Sequence, residues 1–199
     1  MPAVLDILPV VAPADHMAGP PQGRWTAAAY DALPDDGNRY ESIDGVLYMA
    51  PPPTPEHQDV SRWFVYYLTT HVQLAGLGRV YAAPIGVELA PDTIVEPDIV
   101  VVLTARLGII QPKRIVGAPD LVIEIASPST AGYDRREKQN DYAAAGVPEY
   151  WIADPAAKTI EVLVWAAGRY VSRNVFRGQA TLPSAVLPSL PVPVQAFFA

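Results

Sequence analysis

Residues 120–126, Asp120-Leu121-Val122-Ile123-Glu124-Ile125-Ala126, set one carboxylate in the middle of a run apolar enough to be a central strand. Strand alternation puts Val122, Glu124 and Ala126 on one face and Leu121, Ile123 and Ile125 on the other. A carboxylate buried alone in such a strand is strongly disfavoured, so a cation or a lysine is expected on the Glu124 face. The alternatives are a structural salt bridge or a carboxylate near the strand's open end, because perturbed charges mark functional sites only statistically.

Upstream, Pro97-Asp98-Ile99-Val100-Val101-Val102-Leu103 places an acid directly before a second buried strand. Asp before a strand is common in turns, and its weight here comes from Glu124. Two carboxylates on adjacent strands form a hard-oxygen pair suited to Mg²⁺ or Mn²⁺, and the expectation is that they lie close enough to share one cation. Downstream, Asp134 to Ala145 reads as a helix closed by Gly146. Positions 134, 138, 142 and 145 share one face, and Tyr142 and Ala145 mark it as inward. Lys138 then points toward the carboxylates, where it can orient a water and offset charge on a phosphate; alternatively it snorkels out past Tyr142.

The remaining elements surround this centre. Arg39–Ile43 and Val46–Ala50 flank Asp44-Gly45, a two-residue hairpin signature. Thr26 reads as the N-cap of a short helix through Leu33. From Pro55 to Ala75 the residues Val60, Phe64, Tyr67, Leu68, Val72 and Leu74 recur at helical spacing. Strands are expected at 79–89, 99–103, 120–126, 149–153, 160–165 and 170–175. The proline-rich tail 182–194 reads as an extended strap. Apolar strands alternating with helices give an α/β class with a mixed sheet and an N-terminal hairpin. Residues 1–23 read as a flexible arm and 24–199 as a single domain.

Composition limits the chemistry. The 199 residues contain no cysteine, which removes disulfides, thiolate zinc sites and a cysteine nucleophile and is compatible with a cytoplasmic location. No apolar run is long enough to span a bilayer. The net charge of −7 and pI near 4.8 run against a broad basic footprint for nucleic acid. Only Arg106, Lys113, Arg114, Arg135, Arg136 and Lys138 form a concentrated basic group, a place for a phosphate backbone to lie.

Pro97-Asp98, the run from Pro119 through Glu124 to Ser127-Pro128-Ser129, Asp134, Glu137-Lys138, Tyr142, Gly146-Val147 and Glu149-Tyr150-Trp151-Ile152-Ala153-Asp154-Pro155 together resemble the Uma-type restriction endonucleases. Tyr40-Glu41, Asp44-Gly45 and His57 extend the resemblance to roughly residues 25–198. That family is assigned to the PD-(D/E)XK superfamily, so the resemblance implies a restriction-endonuclease-like core and Mg²⁺- or Mn²⁺-dependent hydrolysis of phosphodiesters, expectably in DNA. Asp98 is then the first acid and Glu124 the second. Where the superfamily pattern has lysine two residues after the second acid, this chain has Ala126, and Lys138 is the natural replacement.

Secondary candidates have ordinary readings beside functional ones. Glu41 is a further metal ligand or a solvent-facing strand residue. His57 contacts phosphate or supports the acids, or is a satisfied structural histidine. Ser127 and Asp134 position Lys138 or cap its helix, Tyr142 stands beside Lys138, and Trp151 belongs to the core. A homodimer is expected, because two sites related by a two-fold axis suit the cutting of both strands of a duplex. The alternative is a nuclease-fold protein that binds nucleic acid or a protein partner without cutting it.

Overall fold

A computed structural model of the chain describes residues 11–126 and 138–199. Two mixed β-sheets carry the fold. The first is built from β1 (Ala12–Pro13), β2 (Arg39–Ile43), β3 (Val46–Ala50), β5 (Val87–Ala90), β6 (Thr93–Val95) and β8 (Ile115–Val116), in the order β1-β3-β2-β6-β5-β8. The second contains β4 (Gly78–Ala82), β7 (Ile99–Leu103), β9 (Leu121–Ile125), β10 (Glu149–Asp154), β11 (Thr159–Ala166) and β12 (Arg169–Arg177), in the order β12-β11-β10-β9-β7-β4. The helices are α1 (Ala27–Tyr30), α2 (Pro55–Leu68) and α3 (Gln139–Ala145). This is a restriction-endonuclease-like α/β arrangement with an N-terminal hairpin.

The central strands β7, β9 and β10 are buried on both faces, as the continuous apolar runs of β7 and β9 require. Leu121, Ile123 and Ile125 pack with Val60, Phe64 and Leu68 of α2 and with Leu182, Leu187, Leu190 and Phe197 of the tail. Val122, on the opposite face, packs with Val100, Val102, Tyr142 and Tyr150 and with Ile43, Val87 and Val95 of the first sheet. β9 runs antiparallel to β7, with Ile99 opposite Ile123, and parallel to β10, with Ile152 opposite Glu124. The turn Asp44-Gly45 has φ of 49° and 72°, the positive pair that a tight two-residue hairpin demands.

Four expectations change. Residues 11–23 do not form a loose arm: Ala12 and Pro13 pair with Met49 and Tyr48, and Ala14 is buried against Trp25 and Leu47. The long helix gives way after Leu68 to a wider turn over Thr69–Gln73, leaving Leu74 77% exposed. The stretch 79–89 is two strands, because Pro84 and Gly86 interrupt it, and the short β6 follows. The first helix stops at Tyr30, although Thr26 caps it as expected through Ala29 N–H.

The tail does form a strap, and a buried acid holds it. Glu149 is fully buried, with Oε1 accepting from Trp151 Nε1 (2.7 Å) and Oε2 accepting from the backbone N–H of Ala185 (2.7 Å). Phe197 stacks on Phe64 with centroids 4.3 Å apart.

β4 meets β7 so closely at Gly78 that a Cβ there would collide with Val102 O and lie 2.9 Å from Leu103 Cα. Gly78→Ala is expected to destabilise the fold by about 1–3 kcal/mol, the scale of overpacking against a rigid neighbour. Urea unfolding should show a lower midpoint at unchanged m-value.

Candidate active site

Glu124 reaches its partners because α3 and the turn opening it lie against the face of β9 that carries Val122 and Glu124. Lys138 and Tyr142 are one helical turn apart and so point the same way. Tyr142 OH donates to Glu124 Oε1 at 2.7 Å, and Lys138 Nζ lies 3.4 Å from the same oxygen. The ammonium also lies 2.8 Å from Glu41 Oε1, which in turn accepts from Glu96 N–H at 2.7 Å. The hairpin, α3 and the central sheet therefore meet at one lysine. Glu41, Asp98, Glu124 and Lys138 are each no more than 6% exposed.

Asp98 stands just before β7. One further step along the Ile99–Ile123 register brings it opposite Glu124, and Ile125 N–H donates to Asp98 Oδ2 at 2.8 Å. His57, in the first turn of α2 that Thr54 caps, places Nε2 3.0 Å from that same Oδ2. His57 Nδ1 is buried with no hydrogen-bond partner among the described residues. Asp98, Glu124, Glu41, His57 and Lys138 line one cleft, closed on one side by Pro51-Pro52-Pro53.

Burial opposes ionisation of Asp98, but the hydrogen bond and charge of His57, the Ile125 N–H and the charge of Lys138 outweigh it and hold the carboxyl below its ordinary value of 3.8. Burial, reinforced by the charges of Glu124 and Glu41, pushes the Tyr142 phenol well above 10, so it remains a donor to Glu124.

Two cleft residues were not candidates from sequence. Arg39 Nε lies 3.1 Å from Glu96 Oε2, and burial raises the Glu96 carboxyl above 4.5 against the opposing effect of Arg39. Polar residues at strand ends look solvent-facing in a sequence; only the adjacency of Glu96 to Pro97-Asp98 hints at this one. Ser127 and Asp134 lie outside the described residues, as do Arg135 and Arg136. The expected basic surface does not assemble from its described members. Arg106 turns to Asp120, Lys113 and Arg114 pair with Asp31, and Lys138 is buried. Sequence proximity had grouped side chains that the strands send in different directions.

The donor set suits a hard divalent cation. Among the described residues, four carboxyl groups line the cleft (Glu41, Glu96, Asp98, Glu124) against two fixed cations, Arg39 and Lys138. No three His, Cys, Asp or Glu side chains among those residues already converge on a single metal position. A preformed cage is not required for Mg²⁺, which is commonly held by one or two carboxylates with water and substrate phosphate completing its shell.

The Asp98 carboxyl has a pH signature. Because its folded pKa is depressed, its stabilising contribution is complete above the unfolded value near 3.8 and is lost as pH falls through the lower folded value. Asp98→Asn should therefore flatten the dependence of unfolding free energy on pH between about pH 5 and pH 2. Chemical denaturation across that range measures it, and an unchanged slope would refute the assignment.

The chain matches the Uma2 family, described as "Putative restriction endonuclease", over residues 27–195. Its fold is similar to that in the crystal structure of a putative nuclease belonging to DUF820 from Anabaena variabilis, with a TM-score of 0.73 and 22% identity over 87% of this chain and 97% of that one. No match is found among curated proteins. With buried acids and a lysine gathered in one cleft and a family match that spans most of its length, the chain belongs to the Uma2 putative restriction endonuclease family.

Proposed function

We propose that this protein is a divalent-metal-dependent nuclease that hydrolyses phosphodiester bonds, with DNA as its substrate, and that Asp98 and Glu124 are the acids that hold Mg²⁺ or Mn²⁺. The observation that carries this reading is the buried set of Asp98, Glu124, Glu41 and Lys138 in one cleft whose carboxyl groups outnumber its cations. When bound, such an ion supplies Lewis-acid polarisation of the phosphate and a nucleophilic water at neutral pH. Glu41 is the third candidate ligand.

The chain's own groups divide the remaining work. Lys138, held between Glu41 and Glu124, orients the attacking water and offsets negative charge developing on the phosphate. Tyr142 fixes Glu124 Oε1. His57 and Ile125 N–H both hold Asp98 Oδ2, which sets the orientation of that acid. Ser127 and Asp134 remain proposed supports for Lys138, and a homodimer and a cytoplasmic location remain part of the proposal. No helix among the described residues is long and apolar enough to cross a membrane.

One observation favours the non-cutting alternative. Lys138 already neutralises Glu41 and Glu124, and the strand position two residues after Glu124 carries no lysine. Calorimetric titration with Mn²⁺ should show binding that Asp98→Asn and Glu124→Gln each abolish. Lys138→Arg should keep the buried charge and the Mn²⁺ affinity while cleavage falls by about 100-fold or more, the scale of losing one positioned group. A wild-type protein that binds Mn²⁺ yet cleaves neither DNA nor RNA between pH 6 and 9 would replace the nuclease reading with the binding one.

A further inference from the structure

The His57–Asp98 pair is a shared wall. On one side lies the cleft with Glu124 and Lys138; on the other a second hollow of about 390 Å³ also reaches Arg39, Pro53, His57 and Asp98. The second hollow has two kinds of lining. Gln58, Ser61 and Arg62, on two adjacent turns of α2, supply amide, hydroxyl and guanidinium groups. Val65, Ala82 and Pro84 supply an apolar wall formed by α2 and the end of β4.

Arg62 is available for a ligand. Its contact with Asp59, 3.0 Å away, joins side chains that are 68% and 62% exposed, and an exposed pair of that kind adds little stability and is readily exchanged. The hollow falls within the range of about 300–1,000 Å³ typical of small-ligand sites. Apolar groups beside hydrogen-bonding ones, one of them cationic, match a single nucleotide, whose base is flat and largely apolar on its faces and whose phosphate is anionic.

We infer that this second hollow is a subsite for one unstacked nucleotide next to the scissile phosphate, with its base against Val65, Ala82 and Pro84 and its phosphate toward Ser61 and Arg62. The inference rests on the nuclease reading for the location of the scissile phosphate. It goes further in naming the substrate class: a strand that is single or splayed at the cut, because a base paired within a duplex cannot enter a hollow of this kind without leaving its stack. The net charge of −7 agrees, and Arg106, Lys113 and Arg114 are tied into ion pairs, which takes them out of the broad basic surface that gripping two phosphate backbones requires.

The test compares fluorescence-anisotropy binding of a labelled single-stranded oligonucleotide and of its duplex to the full chain with Ca²⁺ present, for wild type and for Ala82→Trp, which fills the hollow from an exposed position. Wild type should bind the single strand at least about tenfold more tightly, and Ala82→Trp should erase that margin. Arg62→Ala should weaken single-strand binding severalfold. Mn²⁺-dependent hydrolysis of bis(p-nitrophenyl) phosphate, too small to need the hollow, should be unchanged in Ala82→Trp. Tighter binding of duplex, or an Ala82→Trp variant that binds like wild type, overturns the subsite. Absence of hydrolysis in wild type with the binding pattern intact overturns the nuclease reading and leaves the hollow as a nucleotide-binding site without a neighbouring cut.

Discussion

A carboxylate in the middle of a buried strand has to be answered from outside that strand, and much of this molecule is arranged around the answer to Glu124. Tyr142 comes from α3 and Lys138 from the position just before it, and Glu41, sharing the lysine, comes from the hairpin sheet. None of these groups is stable in place without the others. Removing one partner of a buried ion pair leaves an uncompensated charge, whereas the complete set is tolerated in the interior. The network therefore joins the two sheets at the point where the apolar packing between them is interrupted. Asp98 repeats the arrangement on the other side, with His57 of α2 as its partner.

Much of this was legible in the sequence, for reasons that differ by residue. Period-two alternation in β9 correctly separated Glu124 from Ile123 and Ile125, because both faces of the strand are buried and the pattern has no freedom to slip. The hairpin was readable to the residue because Asp44-Gly45 dictates both the turn and the register. Helical phase alone turned Lys138 and Tyr142 inward. The failures have physical causes too. Leu74 fits the helical period of α2 but lies beyond the point where the helix widens. The apolar stretch 79–89 concealed two strands because its pattern was read through Pro84.

What stayed hidden depends on contacts between distant segments. Glu149 reads as an ordinary acid at the head of a strand, yet it is fully buried because backbone N–H groups of Ala185 and Val186, 36 and 37 residues later, complete its coordination. Arg39 and Glu96 sit at strand ends where polar residues are unremarkable, and only the folded chain pairs them across 57 positions. The described members of the apparent basic cluster diverge for the opposite reason, since nearness in sequence is not nearness in space.

The two acids and the lysine are anchored by different kinds of backbone, and this gives them different evolutionary freedom. Glu124 lies in β9 and Asp98 immediately precedes the antiparallel β7, so their separation is set by the ladder between the two strands. A shift of one residue in that ladder would reverse every side chain on the strand, so a lineage can lengthen or replace its connecting segments while the acids stay opposite each other. Lys138 approaches from a helix outside the ladder. The position of the basic group is therefore set independently of the register that fixes the two acids.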